Sequence, residues 1–121
     1  MTARDSSLGT SLTDARLGYC ELDPLGRISS INSTLRRSLG ASEAGLQEDA
    51  LEELVAPGWE IRADQALEVL FTEGRLEGHE LDLLGPRRET RRLALYGARR
   101  HASRPSEQRA HVFFVDVTDR A

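Results

Sequence analysis

The sequence predicts a single α+β domain: two strands, a helical middle and three closing strands. Three observations predict it. A Pro24-Leu25-Gly26 turn separates two short apolar segments. The apolar spacing between Ala63 and Phe71 is helical, and after Gly74 it becomes an alternation. The length agrees, since 121 residues fit one domain whose core needs no disulfide.

Residues 1–16 carry Leu8, Leu12 and Ala15 at helical spacing, a thin apolar stripe that Gly9 weakens, and read as an N-terminal cap helix or flank. Leu17 to Asp23 reads as a strand. Proline fixes φ in the turn that follows and Gly26 is free to take positive φ, so Ile28 to Ile31 returns as the second strand of a hairpin. Asn32-Ser33-Thr34 offers N-cap oxygens ahead of Leu35 and Leu39, and Gly40 closes about two helical turns. Leu51, Leu54 and Val55 suggest a second short helix, stopped by Pro57-Gly58. The strongest helix holds Ala63, Ala66, Leu67, Leu70 and Phe71 on one face and ends before Gly74. Leu81 and Leu83 then alternate with acids, and Gly85-Pro86 breaks the run. Leu93 and Leu95 alternate in the next strand, and a polar stretch from Arg99 to Gln108 precedes the last one, Ala110 to Val117. That strand is apolar almost throughout, so both of its faces need cover.

Composition narrows the function classes. All 16 basic residues are arginine. Residues 43–82 set twelve acids against Arg62 and Arg75, while residues 87–109 set eight arginines against Glu89 and Glu107, so a formal charge of −4 hides an acidic middle and a basic later segment. The acids read as solvated helix faces. The arginines fit an acidic surface, either a second copy's residues 43–82 or a following domain. Aromatics are 5% of the chain and do not interleave with the arginines, which argues against nucleic acid. The lone Cys20 provides no disulfide or zinc spacing, and no apolar run is of membrane-spanning length. With no signal-peptide core, a cytoplasmic location is the expectation. No nucleophile motif, phosphate-binding glycine motif or metal spacing supports catalysis.

Leu17-Gly18, the run Glu21-Leu22-Asp23-Pro24-Leu25-Gly26-Arg27-Ile28, Asn32, and the ending Phe114-Val115-Asp116-Val117-Thr118-Asp119-Arg120 together resemble a PAS domain, over residues 17–120. The resemblance implies a five-stranded antiparallel sheet in the order 2-1-5-4-3 with helices on one face. It also implies a sensory or regulatory module of a signalling protein such as a sensor kinase, cyclic-di-nucleotide enzyme or transcription regulator. Residues 17–121 would then form the domain, ending where a signalling linker starts.

A ligand would lie between sheet and helices, among Ala66, Leu67, Leu70, Leu81, Leu83, Leu93, Leu95, Phe113 and Val115; the same residues also suit a plain packed core. Asp116, Thr118 and Arg120 would couple the sheet to an effector helix, with Thr118 as its cap, or form an ordinary strand-end turn. Asn32 would hold the strand-to-helix corner. Val112 and Phe114, of the opposite parity, would be covered by Leu8 and Leu12 of the same chain or a partner, giving a homodimer. No cofactor is identified. His79, His101 and His111 all lie off the long helix, against haem ligation, and Cys20 lies on the first strand, against a cysteinyl-flavin adduct. Trp59 alone keeps a non-adduct flavin open. The expected function is ligand sensing or dimerisation with output to a C-terminal effector, the alternatives being a ligand-free dimerisation module or a small enzyme with an open sheet and pocket.

Overall fold

Asp23 sets the first hairpin. Its Oδ1 accepts the backbone N–H groups of Leu25 and Arg27, each at 2.9 Å, and Gly26 closes the turn with a bond to the Asp23 carbonyl at φ +82°. The computed structural model describes residues 17–39, 49–85 and 87–118. Strands β1 (Gly18–Leu22) and β2 (Ile28–Ile31) flank this turn, followed by helices α1 (Ser33–Leu39) and α2 (Glu60–Glu73) and by strands β3 (Arg75–Leu84), β4 (Thr90–Arg100) and β5 (Arg109–Asp116). The sheet order is β2-β1-β5-β4-β3 and every neighbouring pair is antiparallel, as the resemblance implies. The cap helix expected over residues 1–16, with Leu8 and Leu12, lies outside the described residues.

Asn32 holds the corner between β2 and α1. Its Oδ1 caps the Leu35 N–H at 2.9 Å and accepts the Tyr19 N–H at 3.1 Å, while its Nδ2 donates to the Leu17 carbonyl at 2.9 Å. One side chain thus caps a helix and fixes it to β1. At the far end of α2, Gly74 turns left-handed (φ +83°) and Arg99 donates from Nη1 to the Phe71 carbonyl, satisfying a helix-end acceptor.

The core lies between the sheet and the helices. Leu35 of α1 and Ala63, Ala66 and Leu70 of α2 pack with Leu22, Ile28, Leu81, Leu83, Leu93, Leu95, Val112 and Phe114 of the strands. Here the structure corrects the phase expected for β5. Val112 and Phe114 point to the helices, and Phe113 and Val115 point to the outer face. Two contacts fix this: a Cβ on Gly18 would touch both Leu35 and Phe114, and one on Gly97 would touch both Val112 and Leu70. A strand apolar at both parities has no phase of its own; the bulkier neighbours decide it.

Two further expectations change. The second short helix is only a 3-10 turn, Leu51–Glu53, because Val55 bridges Leu83 and the Ala56 N–H bonds the Asp82 carbonyl at 2.8 Å, covering the open edge of β3. The last strand hairpin is also longer than predicted, with Arg99 and Arg100 inside β4, paired to Ala110 and Arg109.

Candidate functional site

Strand β5 ends in a clamp. Asp116 accepts the Thr118 N–H on Oδ1 at 2.8 Å and the Arg91 Nε on Oδ2 at 3.0 Å. Thr118 Oγ1 accepts the Arg92 N–H at 2.9 Å, and the Val117 N–H donates to the Arg92 carbonyl at 2.8 Å. Partial burial on its own would raise the Asp116 carboxyl, but bonds from Thr118 and the Arg91 guanidinium outweigh it and hold the group below the ordinary aspartate value. The clamp therefore stays anionic at neutral pH. Of the three expected coupling residues, Asp116 and Thr118 come together on β4; Arg120 lies outside the described residues. The Thr118 hydroxyl is engaged with β4, and the turn that it was expected to cap lies outside the described residues.

Arg92 stands behind the clamp. Its guanidinium pairs with Asp82, reaches Glu80 at 3.5 Å, and lies over the indole of Trp59, 4.9 Å from the ring centroid. Trp59 is the residue from which α2 starts. Arg92 forms the shared wall of two grooves. One, about 480 Å³, is lined by Trp59, Arg62, Gly78, Glu80 and Arg92; the other, about 320 Å³, by Asp82, Thr90, Arg92, Val117 and Thr118. The sequence places Arg91 and Arg92 in a basic surface and Trp59 apart from them; that the three gather behind the end of β5 is not legible there. A signal for one pair was present: Asp82 and Arg92 are opposite charges equidistant from the hairpin tip, hence cross-strand partners in register.

Most of the expected pocket residues are in the interior. Ala66, Leu70, Leu81, Leu83, Leu93 and Leu95 join the core, and Leu67 is half-buried against it, beside Gly26. Phe113 and Val115 are not with them. They belong to the outer face, where Tyr19, Phe113 and Tyr96 stand directly opposite one another on β1, β5 and β4. The Tyr19 ring lies 5.1 Å from Phe113 and 5.8 Å from His111, whose Nδ1 shares a hydrogen bond with the Tyr19 hydroxyl. Tyr96 is 45% exposed and lines an outer groove with Phe113, His111 and Ala98. Val112 and Phe114, expected on the outer face beneath the Leu8/Leu12 stripe, are inside. Cys20 is also inside, and burial pushes its thiol far above the ordinary range.

The histidines are dispersed. His79 on β3 shares a bond with the Arg62 carbonyl, His111 is on the outer face and His101 in the β4–β5 loop. Among the described residues no group of three or more His, Cys, Asp or Glu side chains is placed to hold a metal ion. No helix among them is long and apolar enough to cross a membrane.

The basic segment is largely matched within the chain. Arg91 pairs with Asp116, Arg92 with Asp82 and Glu80, Arg100 with Glu21 at 3.7 Å and Arg104 with Glu107 at 3.7 Å. Arg99 and Arg109 bond backbone carbonyls. Arg87 and Arg88 are exposed at the hairpin tip, where Arg88 adopts φ +62°. Acids 52, 53, 60, 64, 68 and 73 are exposed, as solvated helix faces should be.

No family model and no curated protein matches the sequence. Solved structures do match. The PAS domain of an HTR-like protein from Haloarcula marismortui gives a TM-score of 0.76 at 16% identity, over 96% of this chain and 99% of that one. A PAS domain from Colwellia psychrerythraea gives 0.78 at 16% identity, over 95% and 98%. A sensory box histidine kinase/response regulator from Burkholderia thailandensis gives 0.71 at 18% identity, over 93% and 86%. By these matches over nearly the whole chain, with its five-stranded antiparallel sheet in the order β2-β1-β5-β4-β3, the chain has the PAS fold.

Proposed function

We propose that the chain is a cytoplasmic signalling domain without catalysis of its own, which passes a change in its sheet to a C-terminal effector through Asp116–Thr118. The observation that carries this reading is the clamp: the segment leaving the domain is held to the backbone of one β4 residue, Arg92, from both sides. A hydrogen-bonded exit moves with the sheet, whereas a free tail would not. The likeness to a sensory box histidine kinase/response regulator suggests a kinase as the class of effector. The input is a small molecule between the sheet and α2, or a rearrangement of a homodimer. The outer row Tyr19–Phe113–Tyr96 favours the second input, because a partly exposed aromatic row is surface that an interface would bury further.

The test places the chain ahead of a histidine kinase catalytic core in place of that kinase's own PAS domain. Thr118→Ala should change autophosphorylation several-fold while the urea midpoint of the domain moves by no more than a single hydrogen bond, about 1 kcal/mol, allows. Equal kinase output from both chimeras, with both folded, would remove the exit segment as the output. Native mass of the purified domain separates a bound small molecule from an empty core and reports the dimer.

A further inference from the structure

The start of α2 and the exit of β5 are joined by one side chain. Arg92 bonds Val117 and Thr118 through its own backbone N–H and C=O. Its guanidinium is held by Asp82 and Glu80 of β3 and lies over Trp59. These contacts leave little independent freedom: a residue whose backbone holds one element and whose side chain is stacked on another transmits a displacement of either. Trp59 is suited to report or receive such a displacement. It is half-buried at the first turn of α2, and beside it the Arg62 guanidinium, 6.0 Å from the ring, reaches the Glu80 carbonyl at 3.4 Å. The grooves on the two sides of Arg92 open on Trp59 and on Thr118 respectively.

We propose that Arg92 is a positioning residue that couples the packing of Trp59 at the head of α2 to the hydrogen bonding of the exit segment Val117–Thr118. The inference rests on the exit segment being the output, and it adds where the output is biased from: the α2 end that adjoins β3. A guanidinium is needed because it can stack on the indole and hold two carboxylates in its plane at once; an ammonium has no plane to stack. The two states of the device are Arg92 stacked with the clamp closed, and Arg92 released with the clamp open.

Trp59 is the only tryptophan, so its fluorescence reads one end of the device. Amide hydrogen exchange at Val117 and Arg92 reads the other. Trp59→Leu should speed exchange at both amides roughly fivefold relative to amides of β1, and in an Arg92→Met background it should add nothing. In the opposite direction, Thr118→Val should shift the Trp59 emission while leaving the β1 amides unchanged. Should Trp59→Leu loosen the whole domain, all amides would speed together, and the Thr118→Val arm decides alone. Unchanged Trp59 emission in Thr118→Val overturns the proposal, as does an equal effect of Trp59→Leu with and without the Arg92 guanidinium. Either result with a kinase chimera still responsive to Thr118→Ala would remove Arg92 as the link and leave the exit segment as the output.

Discussion

Gly26 is where a backbone requirement and a packing requirement meet. Its φ of +82° already disfavours any L side chain, and a Cβ there would run into the Leu67 methyl of α2. Gly58 separates the two effects. It has φ +95° and nothing within 4 Å of the added carbon. Gly58→Ala should therefore cost about 1 kcal/mol, the left-handed conformation alone, and Gly26→Ala roughly 2–4 kcal/mol once overpacking is added. Urea denaturation of the two variants gives the comparison directly. Equal costs would mean that Leu67 yields freely and that the turn is not wedged against α2. The pattern Asp23-Pro24-Leu25-Gly26 announced this turn in the sequence, and Asn32 announced the corner. What the sequence did not carry was that Gly26 is buried under a helix forty residues later, since a glycine shows no sign of what approaches it.

Among the elements, β5 shows how far periodicity reaches. The alternation of Leu81 with Leu83, and of Leu93 with Leu95, was enough to place those four side chains in the core, because the intervening residues are charged or small. Along β5 both parities are apolar, so the spacing contained no phase. The phase comes from Leu35 and Leu70, which fill the space against Phe114, Val112 and Gly97. The segment around Leu51–Val55 departs from its helical spacing for a related reason: three apolar residues so spaced also suit a 3-10 turn followed by a bridge to β3. The corrected phase of β5 has a sharp consequence. Phe114 is 3% exposed and sits in the core, so Phe114→Ala should cost about 3–5 kcal/mol. Phe113, half-buried on the outer face beside Tyr19, should cost about 1–2 kcal/mol on the same change. The order of the two urea midpoints checks the assignment, and the reverse order would turn the strand over.

For the whole molecule, folding pairs much of the basic segment with acids of the same chain, while the acids of α2 stay exposed. The basic segment of the sequence looked like a patch in search of an acidic partner, because a sequence shows charges in line. In three dimensions antiparallel pairing puts Arg92 against Asp82 and sets Arg91 beside Asp116, and Arg100 reaches Glu21 across the sheet. Most of the arginines that would draw a second copy's acids already have a partner within one chain. What the outer face offers instead is aromatic. If two copies meet through Tyr19, Phe113 and Tyr96, their association should be driven by apolar burial and depend little on ionic strength, since exposed ion pairs contribute little and salt screens them further. Sedimentation of the domain should then give nearly the same dimer fraction at low and physiological salt, and Tyr96→Arg should weaken the dimer about tenfold or more, as loss of a central tyrosine does in other interfaces. Tyr96 is exposed enough that its replacement leaves the core untouched. A dimer that dissolves steeply as salt rises, and is indifferent to Tyr96→Arg, would shift the interface to the hairpin tip, where Arg87 and Arg88 are exposed.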